Sequence, residues 1–95
     1  MKRLTTKAED GTYLVSGDQL KAFNKDSYGG EAINKLGKYE NFHEALLNRR
    51  QVIPEELQKL REQGKEKSVK FRELLAEKLT IENILIMLKG QGIQG

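Results

Sequence analysis

The sequence predicts a mainly α fold, with a small N-terminal β-hairpin followed by three to four helices packed as a compact bundle. Three observations predict it. The chain of 95 residues has thirteen leucines, no tryptophan and no cysteine, a composition that suits helices better than a β-sandwich. From Glu31 onward the apolar residues recur with a helical period. Strand-favouring residues cluster instead before Ser16. A chain this short is one domain, able to bury roughly two-thirds of its unfolded surface.

The elements follow in order. Thr5, Thr6, Thr12, Tyr13 and Val15 favour strands, and Asp10-Gly11 supplies a turn, so residues 1–16 read as a hairpin. Residues 17–30 are rich in Gly, Asp, Asn and Ser and read as a loop, with Leu20, Phe23 and Tyr28 as its anchors. The helical part spans 31–90. In its first segment Ala32, Leu36, Tyr39, His43, Leu46 and Leu47 share one arc, with Ile33 and Phe42 on its flanks. That helix is expected to end near Arg50 or to break near Asn41, because Pro54 suits a new first turn and Glu55 and Glu56 complement its dipole. Gly64 then ends a helix and Ser68 caps the next.

The apolar centre is Phe71 to Leu88, where ten of eighteen residues are Phe, Leu, Ile or Met. Phe71, Leu75 and Leu79 share one face, whereas Ile81, Ile84, Leu85 and Leu88 share another. That change of face predicts a break near Thr80, with Lys89 and Gly90 ending the last helix and 91–95 left as a frayed tail. Heptad spacing from Leu57 fails at Gly64 and Lys67, which argues against a long coiled coil.

The net charge of +3 is spread thinly along the chain, so the pI near 9.2 is weak evidence for nucleic acid. The absence of cysteine removes disulfides, thiol catalysis and thiolate metal sites, and fits a reducing compartment. MKRLTTKAED lacks the apolar run of a signal peptide, and no stretch reaches the 18 or so apolar residues of a membrane span. The expected location is the cytoplasm.

Four segments carry a family resemblance: MKRLTTKAEDGTY, AINKLGKYE, PEELQKL and KSVKFRELLAEKLTIENILIMLKGQGI. Together they resemble small proteins encoded by phages and prophages of low-GC Gram-positive bacteria. Two departures stand out. NFHEALLNRRQV is longer than the expected connector, and GQG replaces a more apolar run before the final Gly-Ile. The family has no settled activity, so the resemblance transfers no functional residue. It implies a phage accessory protein acting in the host bacterial cytoplasm.

Catalytic and metal chemistry lack the residues they need. His43, the sole histidine, falls inside an apolar arc and reads as a packed, hydrogen-bonded side chain. His43-Glu44 lacks the second histidine of a zinc helix. Asp10, Asp18 and Asp26 are spaced as turn residues, not as a calcium loop. No phosphate loop is present. The sequence therefore predicts no enzyme, no cofactor and no metal.

Two binding readings follow. In the first, the apolar C-terminal helix presents Ile81, Ile84, Leu85 and Leu88 to a host or phage protein, or to a second copy of the chain as a homodimer. An inhibitor of a host defence system such as CRISPR-Cas is one specific form of it. In the second, a small nucleic-acid-binding regulator uses Arg49, Arg50, Lys65, Lys67, Lys70 and Arg72, with Phe71 stacking on a base. IENILIMLK is too apolar to lie in a groove, which disfavours duplex recognition.

Overall fold

The computed structural model describes all 95 residues. It contains two long helices and two small antiparallel hairpins, about 60% helical in total, which overturns the expected bundle of three to four helices. The elements are β1 (Thr5–Lys7), β2 (Tyr13–Val15), a 3-10 turn (Gly17–Gln19), β3 (Lys21–Asn24), β4 (Ser27–Gly29), α1 (Glu31–Glu62) and α2 (Val69–Gly90). The chain divides into two compact units, Met1–Asn41 and Phe42–Gly95.

In the first unit β1 pairs with β2 in the register Thr5↔Val15, Thr6↔Leu14, Lys7↔Tyr13. The turn works as its residue types suggest. Gly11 takes φ +91°, and the Asp10 carboxylate accepts hydrogen bonds from the Thr12 N–H at 3.0 Å and hydroxyl at 2.7 Å. The Thr12 hydroxyl is the main cause that holds the Asp10 carboxyl below its ordinary range. The Arg3 guanidinium lies over the Tyr13 ring at 5.7 Å.

The segment 17–30 is not a loop. Its 3-10 turn leads into β3 and β4, which pair antiparallel with an irregularity between Ala22 and Asn24. Asn24 Oδ1 accepts the Asp26 N–H at 2.9 Å and closes the turn. Gly30, at φ +117°, lies so close to Gln19 that a β-carbon would collide with the Gln19 carbonyl. Of the expected anchors Leu20 is half-buried, whereas Phe23 is 83% exposed and Tyr28 63%. No side chain of this unit is fully buried. Lys35 on α1 donates to the Lys2 carbonyl oxygen at 3.3 Å.

The second unit is an αα-hairpin made of α1 from Phe42 onward and α2. Pro54 does not start a helix; α1 runs through it. Proline has no N–H to offer the Arg50 carbonyl one turn earlier, and that vacancy is tolerated because Pro54 faces solvent. The helix ends instead at Gly64, where φ is +69°. The Lys65 N–H reaches back to the Leu60 carbonyl at 2.8 Å, the closing bond of a Schellman motif. Ser68 then caps α2, its hydroxyl oxygen accepting the Phe71 N–H at 3.2 Å. Both ends of this connection match the expected positions.

The expected break at Thr80 is absent, and α2 is continuous to Gly90. The core seam explains why. Phe71, Leu74, Ile81, Leu85 and Leu88 follow alternating spacings of three and four, with Lys78 filling the one gap. On α1, Leu46, Ile53, Leu57 and Leu60 do the same, with His43 and Arg50 at the polar positions. Leu46, Ile53, Leu57, Phe71, Leu74 and Ile81 form the buried core, and Leu60, Ile84, Leu85 and Leu88 pack against it. This is the two-spacing pattern of helices that pack lengthwise. Leu75 and Leu79 lie outside the seam, 36% and 61% exposed, so no change of face occurs.

α2 ends as α1 does. Gly92 takes φ +83°, and the Ile93 N–H bonds the Leu88 carbonyl at 2.9 Å. The tail is not free: Gly95 lies against the His43 ring and Leu47.

Candidate functional site

The residues expected to bind a partner face the core. Ile81 is 4% exposed within it, and Ile84, Leu85 and Leu88 pack against it as half-buried neighbours. Val69, Leu79, Ile86 and Met87 are the most exposed apolar side chains of α2, at 61%, 61%, 67% and 71%, with Leu75 at 36%. At about 100° per residue Leu75, Leu79 and Ile86 fall within an arc of about 40°, with Met87 about 80° beyond its edge. Arg72 and Glu82 flank that arc, each about 20° outside it, so the ridge is apolar with charged residues along its edges. One signal in the sequence could have found it. Leu74, Ile81 and Leu88 are each seven apart, and any seam through them leaves Leu79 and Ile86 on the outside.

The six basic residues expected for nucleic acid fall in two places along the chain, Arg49 and Arg50 within α1 and the other four around the start of α2. Arg49 is engaged with two carboxylates. Its Nε and Nη2 donate to the two Glu77 oxygens at 2.7 and 2.8 Å, and Nη1 donates to Glu56 Oε1 at 3.2 Å. The Glu77 hydrogen bonds push the Arg49 guanidinium pKa well above its ordinary value. They hold the Glu77 carboxyl below the usual range, against a partial desolvation that raises it. Arg50, one residue on, makes no ion pair. Lys65 and Lys67 lie in the connection between the helices, and Lys70 and Arg72 in the first turn of α2. Phe71 cannot stack on a base: it is 6% exposed, with the Arg61 guanidinium over its ring at 5.2 Å.

His43 departs from the expected hydrogen-bonded residue. Its ring is half-buried, and Nε2 is shielded from solvent without a hydrogen-bond partner. It opens onto a cleft of about 420 Å³ beside α1 and α2, which Arg50, Leu85, Ile86 and Lys89 also line. Arg50 and Leu85 are candidates of the sequence as well, for nucleic acid and for a protein partner; Ile86 and Lys89 enter only through the structure.

No nucleophile or carboxylate pairs with His43, and no group of three His, Cys, Asp or Glu side chains is placed to hold a metal ion. No helix is long and apolar enough to cross a membrane. No protein-family model, curated protein or solved structure matches this chain, so the surfaces themselves carry the functional argument.

Proposed function

We propose that the chain is a non-catalytic binding protein that engages another protein through the outer ridge of α2. The observation that carries this reading is the pair of apolar faces on one helix. Phe71, Leu74 and Ile81 are buried against α1, while Leu79, Ile86 and Met87 stand 61–71% exposed on the other side. A helix apolar on two sides gains from two neighbours, and the second unit supplies one. The resemblance to phage and prophage proteins makes the second neighbour a host or phage protein in the bacterial cytoplasm, with a component of a host defence system such as CRISPR-Cas as one specific target.

The test is capture from host lysate with the wild type and with Leu79→Glu and Ile86→Glu. Both substitutions fall on exposed positions and leave the hairpin folded. The same bound protein should be recovered by the wild type and lost by both variants. Retention by both variants refutes the ridge as the binding surface. A second reading, a homodimer through the same ridge, would cover the same exposed Leu79 and Ile86 and is tested by light scattering: a monomer at hundreds of micromolar excludes it. Nucleic-acid binding through Lys65, Lys67, Lys70 and Arg72 is the weaker reading, because burial of Phe71 removes its stacking residue.

A further inference from the structure

We propose that the cleft beside His43 is a binding site for a carboxylate carried on an apolar body. Its volume, about 420 Å³, lies within the range of small-ligand sites. Leu85, Ile86 and Ile93 are its apolar lining, with Gln94 and Gly95 of the tail beside them. Its charged lining is unequal, with Arg50 and Lys89 set against the single acid Glu82.

The two cations are unspent. The ion pairs of the chain are those of Arg49 with Glu56 and Glu77, so of two adjacent arginines one ties the helices together and the other is left to the cleft. His43 contributes no third group: its Nε2 is shielded and unpartnered, and Gly95 lies against the ring. The seam accounts for the opening itself. His43 and Arg50 occupy positions where apolar residues would have filled the groove between the helices.

An apolar acid answers these features together. Its body covers Leu85, Ile86 and Ile93, and its carboxylate lies between Arg50 and Lys89. Glu82 opposes it, which supplies a control of opposite sign. The inference goes beyond the protein-binding reading and does not rest on it, since of the apolar ridge residues Leu75, Leu79 and Ile86 only Ile86 borders the cleft. Such an acid has two sources, a free small molecule or an acidic segment of a protein.

The experiment is a ¹H–¹⁵N titration of the full chain with three probes: octanoate, the peptide acetyl-Leu-Glu-Leu-amide, and octylammonium as the charge-reversed control. Saturable shifts at His43, Leu85, Ile86 and Lys89 are expected from at least one acid and not from octylammonium. The tighter acid identifies the source. Arg50→Gln with Lys89→Gln should weaken that acid by about tenfold, and Glu82→Gln should tighten it by about threefold, as expected for charge pairs in a partly shielded site. Lys89 and Arg50 are exposed, and circular dichroism verifies that the variants keep their helices. Absence of shifts with both acids, equal binding of octylammonium, or affinities that ignore both charge changes would overturn the proposal.

Discussion

Ile81 and Ile86 lie five residues apart on one helix and should answer the same substitution in opposite ways. Ile81 is 4% exposed and Ile86 67%. Ile81→Ala removes three buried carbons, about 2.4 kcal/mol at 0.8 kcal/mol per group. The cavity left behind adds to that, bringing the total into the range of about 2–5 kcal/mol. Ile86→Ala removes the same atoms from a side chain already in water and should cost less than about 0.5 kcal/mol. Against a total stability of about 5–10 kcal/mol for a chain this size, the first is a large fraction and the second is lost in error. Urea unfolding followed by circular dichroism at 222 nm reads both. With a slope near 1 kcal/mol/M, Ile81→Ala should lower the midpoint by about 2 M or more. Equal midpoint shifts, or a larger one for Ile86→Ala, would show that α2 packs through a different face and would refute the seam.

Three further outcomes are expected. Pro54→Ala restores an N–H to the Arg50 carbonyl and should stabilise the chain by up to about 3 kcal/mol; a lower urea midpoint would contradict the reading of α1 as unbroken. Glu77 is held below its unfolded value by Arg49, so its contribution is present above the ordinary carboxylate range near 4.5 and is lost as pH falls through the lowered folded value. Glu77→Gln should accordingly flatten the acid limb of the stability profile below about pH 4.5, and an unchanged limb would count against the pair. Gly30→Ala should cost about 2 kcal/mol through its positive φ and the approach to Gln19, read as displaced amide signals across Lys21–Gly29; an undisturbed spectrum would sink it.

Local signals in the sequence located what local chemistry decides. Asp10-Gly11 marked the first turn, Gly64 the end of α1 and Ser68 the start of α2, because each position needs a particular residue type. The reading failed where tertiary context overrides a local preference. Pro54 resembles a helix start, yet α1 continues because burial of Ile53 and Leu57 on either side of it offsets the lost hydrogen bond. Thr80 resembled a cap only because Leu75 and Leu79 were grouped with Phe71 as core; two helices packed lengthwise use one residue in three or four, and the surplus apolar residues fall outside. β3 and β4 went unseen because every side chain of β3 is exposed, leaving no alternation to read. The cleft depends on which of Arg49 and Arg50 finds a carboxylate on the facing helix, and spacing within one helix does not contain that.

The uneven burial along α1 has a consequence for how that helix opens. Its residues from Leu46 to Leu57 carry three core side chains, whereas the part before Asn41 has none that is fully buried. Amide hydrogens should therefore exchange with solvent at two rates within one unbroken helix. Those of Ala32 to Glu40 escape through local fraying, and those near Ile53 await cooperative unfolding of the second unit. A helix with a loose half and a fixed half lets the first unit adjust its surface to a neighbour while the αα-hairpin keeps its shape.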